Sequence, residues 1–230
     1  MKLSVIIPVY NEESTISEIL ERVAGVPVEK EIIVVDDGSK DRTRDRLNKT
    51  AQELRKKGHD IKIVSHSENK GKGAAIRTGL KLVSGEVVII QDGDLEYVPD
   101  EYPKIMAPIL EGKAEVVYGS RFSGRRNRFT LHFFANRFLT IMTNLLYGSG
   151  LSDMETCYKV FLRNAVRPEE IKSSRFEVEP ELTVIFLKKG YRIWEVPISY
   201  APRTRFQGKK IGWKDGFETG WFILKSRLGF

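Results

Sequence analysis

Three acids follow a short apolar run in the stretch Val87–Tyr97, and their spacing is the first indication of chemistry in this sequence. Val87–Ile90 can only be buried, and Asp92, Asp94 and Glu96 follow it closely. A buried strand that ends in three carboxylates is costly unless a cation lies there, and hard cations such as Mg²⁺ take carboxylate and phosphate oxygens. The alternative is that these acids cap the next helix or lie in a solvated turn. From this stretch alone the two interpretations are equally open.

Apolar runs and helical periodicities alternate along the first half of the chain. The pattern predicts strands at Leu3–Val9, Glu31–Val35, Ile61–Ser65, Val87–Ile90 and Glu115–Gly119. It predicts helices at Asn11–Ala24, at Asp41–Lys57, in a segment ending at Val83, and at Glu101–Glu111. This alternation specifies a parallel sheet with helices on both faces, and such sheets bind ligands at the carboxyl ends of their strands.

The carboxyl ends of four predicted strands are polar, acidic or glycine-rich. They are Tyr10-Asn11-Glu12, Asp36-Asp37-Gly38-Ser39, Asn69–Gly73 and Asp92-Gly93-Asp94. Since all must lie along one rim, they favour the metal interpretation and a site of nucleotide size. A dinucleotide-binding dehydrogenase is disfavoured because the turn Pro8–Glu12 lacks the glycine fingerprint, and the sequence contains no P-loop. Phosphates would then be held by the metal and by basic side chains.

The second half of the chain is basic and apolar. Between Val116 and Ser152 there are arginines but no acidic residue. Phe129–Tyr147 predicts a helix with a wide apolar face, and the last predicted helix carries Trp213, Phe217, Trp221, Leu224 and Leu228 on one face. Between them we predict strands at Val160–Leu162 and Arg192–Tyr200 and a helix at Phe176–Lys188. The apolar faces fit either packing on the domain or a membrane surface.

Composition limits the remaining classes. The chain has 230 residues, of which 41% are hydrophobic and 30% charged, so we expect one globular domain over residues 1–230. The net charge of +7 predicts an anionic partner. We do not expect nucleic acid, because the basic residues interleave with an aliphatic face rather than with stacking aromatics. The single Cys157 fits a reducing compartment, and no apolar stretch reaches membrane-spanning length.

Taken together, five motifs resemble family 2 glycosyltransferases of the GT-A fold. They are Val5–Glu12, Val34–Thr43, Asn69-Lys70-Gly71, Asp92-Gly93-Asp94-Leu95 and Gly119–Phe122. The closest subgroup is the polyprenyl-phosphate glycosyltransferases, which include the dolichol-phosphate mannose synthases. The resemblance covers nearly the whole chain. It implies an α/β fold with a mostly parallel central sheet, a donor-binding half at residues 1–120, an acceptor-binding half at residues 121–230, and amphipathic interface helices near the C-terminus.

The resemblance also implies site residues. The nucleotide-sugar would be bound by Pro8, Tyr10, Glu12, Asp36, Asp37, Lys70 and Gly71. Asp92, Asp94 and Glu96 would hold Mg²⁺ or Mn²⁺ and the donor diphosphate. The family often has glutamine at the position of Glu96, so the extra carboxylate should strengthen metal binding. Arg121 would meet the acceptor phosphate or the donor diphosphate.

The resemblance implies hexose transfer from a UDP- or GDP-sugar to a polyprenyl phosphate, and the charges suggest how this transfer would proceed. A basic loop that contains Arg203, Arg205 and Lys209 would close over the leaving diphosphate. A lipid phosphate is already anionic, so it needs positioning, by Arg121, Arg128 and Arg137, rather than a base. In-line attack in one step would invert the anomeric centre.

Two alternatives remain open from the sequence. If the acceptor is a glycan hydroxyl, Asp153 is the predicted base. If the chain is not catalytic, it is a scaffold that binds a membrane or partner proteins through its basic face. Many family members carry transmembrane helices after the catalytic domain, and the sequence up to Phe230 shows none. We therefore expect peripheral attachment to an anionic membrane on the cytoplasmic side, a truncated protein, or action with a membrane-protein partner.

Overall fold

Apolar runs of the sequence form one central sheet in the computed structural model, which describes residues 1–122, 131–203 and 213–228. The strands are β1 (Leu3–Val9), β2 (Lys30–Asp36), β3 (Asp60–Ser65), β4 (Val87–Ile90), β5 (Val116–Ser120), β6 (Lys159–Leu162) and β7 (Ile193–Pro197). Their order across the sheet is β3-β2-β1-β4-β6-β5-β7. β1 and β4 are buried at every position, as expected of strands covered on both faces.

Seven α-helices accompany the strands within these described ranges. They are α1 (Ile16–Gly25), α2 (Thr43–Lys56), α3 (Lys72–Leu80), α4 (Tyr102–Leu110), α5 (Leu131–Tyr147), α6 (Val178–Lys188) and α7 (Trp213–Leu228). The predicted mixed α/β architecture with a mostly parallel sheet flanked by helices is confirmed. None of the helices in the described part of the chain combines the length and the apolar character needed to cross a membrane.

The first helix begins later than its sequence pattern predicts. Asn11 has a φ of 49°, in the left-handed region that asparagine tolerates better than most residues. Its backbone N–H donates to Ser39 Oγ at 3.0 Å, and its side-chain oxygen accepts from the N–H of Lys40 at 2.8 Å. The chain therefore turns sharply after β1, and α1 starts at Ile16 instead of Asn11.

One strand runs against the others. β6 is antiparallel to both of its neighbours, β4 and β5, whereas the remaining pairings are parallel. The amino end of β6 consequently lies at the same edge as the carboxyl ends of the other strands. The residues just before Lys159 thus join the loops that follow β1, β2, β4 and β5 at this edge, which we call the C-terminal rim.

The opposite edge of the sheet is held by a buried carboxylate. Glu31, near the start of β2, is fully buried and accepts hydrogen bonds from Ser4 Oγ at 2.5 Å and Lys62 Nζ at 2.7 Å. The backbone N–H groups of Ser84 and Gly85 donate to the same carboxylate at 2.5 and 3.2 Å. Burial alone would raise the pKa of Glu31, but these hydrogen bonds outweigh it and hold the pKa at about 2.

Glu31→Gln should destabilise the fold by about 2 kcal/mol at neutral pH, because the amide cannot satisfy the same set of donors. The pKa of Glu31 in the folded protein lies below the ordinary value of 4.5. The contribution of this carboxylate to the free energy of unfolding is therefore complete above pH 4.5 and is lost as the pH falls towards 2. Urea unfolding of both proteins across this range measures the difference. Glu18→Gln, at an exposed pair with Arg22, is the control and should change stability by less than about 0.5 kcal/mol. A wild-type advantage that stays constant from pH 7 to acid would contradict this account.

Candidate active site

Three acids of the C-terminal rim share one arginine. Arg203, which follows β7, donates to Glu12 at 2.9 and 3.2 Å and to Asp94 at 2.6 Å. Its backbone N–H donates to Glu96 at 2.7 Å. The pKa of Asp94 is raised to about 7, first by burial and then by the charge of Asp92, although Arg203 opposes the shift. The guanidinium therefore neutralises an acid cluster that would otherwise be costly to bury.

The remaining acid of the motif is held by a lysine. Lys72, the first residue of α3, contacts Asp92 at 2.6 Å and Glu179 of α6 at 2.8 Å. Burial opposes the charge on Lys72, but Asp92 and Glu179 raise its pKa well above the ordinary value. Glu179 also pairs with the fully buried Lys159. Sequence reasoning missed this lysine, although its place in a glycine-rich turn at the rim was an available signal.

The acid cluster suits a divalent cation in its chemistry. Asp92, Asp94 and Glu96 supply hard oxygen ligands of the kind that Mg²⁺ and Mn²⁺ take. In this structure each of the three already has a cationic partner, Lys72 or Arg203. Across the described ranges no three His, Cys, Asp or Glu side chains are grouped as around a metal ion. The residues thus fit a metal by type, and they would have to exchange their present partners to hold one.

The two acids at the end of β2 shape the neighbouring loops. Asp36 accepts from Arg44 Nε and from the N–H of Ser39, both at 3.0 Å. Asp37 pairs with His66 Nδ1 at 2.6 Å. Asp37 also accepts from the N–H groups of two residues of the glycine-rich turn that precedes α3, Lys70 at 2.9 Å and Gly71 at 2.7 Å.

Gly71 is required by its surroundings. Its φ is 94°, and a Cβ there would collide with the carbonyl oxygen of Ser174. A side chain at this position would therefore disturb the turn that Asp37 organises. The side chain of Lys70 is exposed beside it.

A buried ion pair lies on the β5–β6 side of the rim. Arg121 donates to Asp153 from Nε and Nη2, each at 2.7 Å, and from its backbone N–H at 2.9 Å. Burial disfavours the charge on Arg121, but Asp153 raises its pKa well above the ordinary value. Glu195 of β7 accepts from the N–H groups of Ser152 and Asp153, which fixes the turn that carries the acid. Arg137 of α5 reaches the same turn, donating to the carbonyl of Ser152 at 3.3 Å.

The structure thus brings most of the predicted site residues to one rim. Pro8 lies within β1, and Tyr10 follows it half-buried. Arg128, Arg205 and Lys209 lie outside the described residues. Asp153, predicted as a base, and Arg121, predicted to bind phosphate, form one ion pair, in which both carboxylate oxygens of Asp153 accept hydrogen bonds from Arg121.

Two helices next to this part of the molecule expose large apolar side chains. α5 and α7 pack on each other, and Leu139 of α5 and Ile223 of α7 are buried. The hydroxyl of Tyr147 donates to the carbonyl of Ile223 at 3.1 Å. What we call the α5/α7 surface consists of Phe134, Phe138, Ile141, Leu145, Phe217, Trp221, Leu224 and Leu228, each at least 40% exposed. Most large exposed hydrophobic residues of the described chain therefore lie on these two helices, whose apolar faces the sequence left open to either packing on the domain or a membrane surface.

Comparison with known proteins identifies the family. Residues 4–168 match Glycosyl transferase family 2. UDP-N-acetylglucosamine–dolichyl-phosphate N-acetylglucosaminyltransferase of Methanococcus voltae is 28% identical over 97% of this chain and 95% of that protein. Dolichol-phosphate mannosyltransferase of Pyrococcus furiosus is 30% identical over 92% of this chain but 60% of that protein. The low-salt glycan biosynthesis hexosyltransferase of Haloferax volcanii is 29% identical over 99% of this chain and 54% of that protein.

Solved structures give the same fold. Glucosyl-3-phosphoglycerate synthase from Mycobacterium tuberculosis, in complex with Mn²⁺, UDP-glucose and phosphoglyceric acid, matches with a TM-score of 0.74 and 20% identity. The match covers 100% of this chain and 80% of that one. The same enzyme in complex with Mg²⁺ and UDP matches with a TM-score of 0.71. At this identity the likeness shows the fold, and the expected GT-A architecture is confirmed.

Proposed function

We propose that this chain catalyses the inverting transfer of a hexose from a nucleotide-sugar to a polyprenyl phosphate, either dolichyl phosphate or undecaprenyl phosphate. The chain belongs to glycosyl transferase family 2 and is a glycosyltransferase. One observation carries the proposal. A single rim holds an acid cluster suited to a metal and, beside it, the arginines Arg121 and Arg137. The names of the relatives from Methanococcus and Pyrococcus, both of which specify dolichyl phosphate, support the acceptor class.

The donor would lie along the ends of β1, β2 and β4. Its base and ribose would meet residues of the first two loops and the glycine-rich turn, namely Pro8, Tyr10, Glu12, Asp36, Asp37, Lys70 and Gly71. Asp92, Asp94 and Glu96 would hold Mg²⁺ or Mn²⁺, which when bound stabilises the charge of the leaving diphosphate as a Lewis acid. Arg203, with Arg205 and Lys209, would add charge-assisted hydrogen bonds to that diphosphate.

The acceptor phosphate would lie on the β5–β6 side. One of its oxygens forms the bond to C1 of the sugar while the bond from C1 to the diphosphate breaks and its electron pair leaves with the diphosphate. Since the phosphate is anionic, no base is needed, and Arg121, Arg128 and Arg137 would position it and offset its charge. Asp153 would then orient Arg121. If the acceptor is a glycan hydroxyl, Asp153 would have to leave Arg121 to act as base.

The α5/α7 surface would face the membrane that contains the lipid acceptor. Its aromatic and aliphatic residues adjoin Arg137, Lys225 and Arg227, and this mixture suits the interface of an anionic bilayer. We propose peripheral attachment on the cytoplasmic side, with or without a membrane-protein partner. Residues 1–230 would act as one domain, because β4 of the donor half pairs directly with β6 of the acceptor half.

Purified protein should move radiolabelled sugar from one member of a nucleotide-sugar panel into extractable polyprenyl phosphate. The panel is UDP-glucose, UDP-galactose, UDP-N-acetylhexosamines and GDP-mannose. Asp94→Ala should lower transfer by about a hundredfold or more, since the diphosphate loses its main charge stabilisation. Asp100→Ala is the control, because this acid is exposed on the segment after β4.

Three outcomes would count against parts of this assignment. Equal rates of sugar transfer by Asp94→Ala and wild type would refute the proposal that Asp94 holds the metal. Label that enters a glycan but no lipid would favour the hydroxyl-acceptor alternative. No binding of any nucleotide-sugar by calorimetry with Mn²⁺ present would favour a non-catalytic scaffold.

Arg203→Gln should have opposite effects on metal and donor. Without the guanidinium, Glu12 and Asp94 lose the positive charge of Arg203, so Mn²⁺ alone should bind about tenfold more tightly. UDP or GDP at saturating Mn²⁺ should bind about tenfold more weakly, because one phosphate partner is lost. Electron paramagnetic resonance of free Mn²⁺ measures the first quantity, and calorimetry measures the second. Arg203→Lys keeps the charge and should lie between the two proteins, whereas unchanged Mn²⁺ affinity in Arg203→Gln would refute the exchange.

Loss of large apolar groups from the α5/α7 surface should release the protein from membranes. The double variant Phe138→Ala, Trp221→Ala should bind vesicles of phosphatidylglycerol and phosphatidylcholine about tenfold or more weakly than wild type, since two aromatic side chains no longer insert. Vesicle sedimentation gives the partition coefficient. Trp194→Ala is the control, because this exposed Trp lies on β7 outside the α5/α7 surface. Equal partitioning of wild type and the double variant would argue that this surface serves another contact.

A further inference from the structure

In the turn that precedes β6, hydrogen bonds hold the residues immediately before and after one acid, Glu155. The N–H of Met154 donates to Thr140 Oγ1 at 3.2 Å, and the buried Lys159 donates to the carbonyls of Met154 and Thr156 at 3.1 and 2.5 Å. The hydroxyl of Thr156 donates to the carbonyl of Gly119 at 2.6 Å. This turn is therefore held rigidly against β5, α5 and α6.

Glu155 itself has no such partner. Its side chain is partly exposed, but its Oε1 is sealed from solvent, and no side chain or backbone group in the described part of the chain donates a hydrogen bond to it. Other acids of the rim, such as Asp94 and Glu179, are paired with cations. A buried carboxylate oxygen that lacks a donor in a rigid turn is unusual, and a ligand that supplies the donor explains it.

The position of Glu155 indicates which ligand. The charged groups that act on it are Lys159 on β6, Glu179 on α6, and the pair Arg121–Asp153. Glu179 is linked through Lys72 to Asp92, on the proposed donor side, and Arg121 belongs to the proposed acceptor side. Glu155 thus lies near groups of both sides, and a sugar held between the donor diphosphate and the acceptor phosphate would come close to it.

The chemistry of the site favours a hydroxyl group. Phosphate oxygens are acceptors and would be repelled by a carboxylate, whereas a sugar hydroxyl donates to one. Burial raises the pKa of Glu155 to about 7, although the charge of Lys159 opposes the shift. The protonated carboxyl can therefore also donate to a hydroxyl oxygen.

We propose that Glu155 hydrogen-bonds a hydroxyl of the transferred sugar and is a specificity-determining residue for the donor. This inference rests on the proposed nucleotide-sugar donor but is independent of the acceptor. The sugar would supply the partner that Glu155 lacks in the protein alone, and the rigid turn would restrict which hydroxyl configuration can reach it. A donor without a matching hydroxyl would leave the carboxyl unsatisfied and bind less well.

The experiment compares nucleotide-sugars with their nucleoside diphosphates. Calorimetry with Mn²⁺ measures the binding of UDP-glucose, UDP-N-acetylglucosamine and GDP-mannose, and of UDP and GDP, to wild type, Glu155→Ala and Glu155→Gln. Glu155→Ala should weaken the binding of the preferred nucleotide-sugar about tenfold or more, as expected for loss of a hydrogen bond to a charged group. It should leave the affinity for the nucleoside diphosphate unchanged. Glu155→Gln retains an acceptor and a donor and should lose less.

The outcomes separate this inference from its premise. Equal weakening of sugar-bearing and sugar-free ligands, or no weakening of either, would overturn the role of Glu155 while the donor proposal stands. Failure of wild type to bind any nucleotide-sugar would overturn both. Unchanged nucleoside diphosphate affinity also shows that the variants are folded at the rim.

Discussion

The arrangement of the C-terminal rim depends on the pairing of its acids with cations of the same chain. A parallel sheet gathers the ends of β1, β2 and β4 at one edge, and each of these ends carries carboxylates. Such a concentration of like charge at low exposure is unfavourable unless it is neutralised. Arg203 and Lys72 provide this neutralisation, and they reach the acids from elements that flank the sheet at different positions. The rim is therefore a set of ion pairs rather than an open acidic pocket.

The reversal of β6 gives the rim its second side. In a fully parallel sheet, the residues before this strand would lie at the far edge, near Glu31 and the starts of β1 and β2. Because β6 runs antiparallel between β4 and β5, the turn with Asp153 and Glu155 instead lies beside Arg121. The fixed turn and the acid cluster are thus adjacent although no periodicity in the sequence links them.

The sequence predicts what local pattern determines, and that is a large part of this fold. Continuous apolar runs identify buried strands such as β1 and β4, and the alternation with helices implies a parallel sheet whose polar ends share an edge. The start of α1 escaped prediction because it depends on one left-handed residue, Asn11. The direction of β6 could not be predicted, because a short apolar run does not indicate whether the strand pairs parallel or antiparallel with its neighbours.

Side-chain partners across the rim could not be predicted either. Arg203 lies 191 positions from Glu12 and 109 positions from Asp94, and pattern carries no information at that separation. We expected the basic loop to meet phosphates opposite the acids, and the structure places Arg203 on the acids themselves. For these residues the sequence indicated only the chemical type of the side chain and its location at the rim. Their pairing could not be inferred, because it depends on how distant segments pack in three dimensions.

This pairing and the proposed reaction are consistent through charge balance. A nucleotide-sugar diphosphate carries two negative charges and a divalent ion two positive ones, so together they would add no net charge to the rim. A metal alone would have to displace Arg203 into solvent with nothing to receive it, and a diphosphate alone would approach Asp92, Asp94 and Glu96 against repulsion. Only when both arrive would the guanidinium move from carboxylates to phosphate without leaving any buried charge unpaired. The ion pairs of the rim would therefore favour the joint binding of metal and donor over the binding of either one alone. The same acids whose burial is costly would thus determine which ligands bind at this edge.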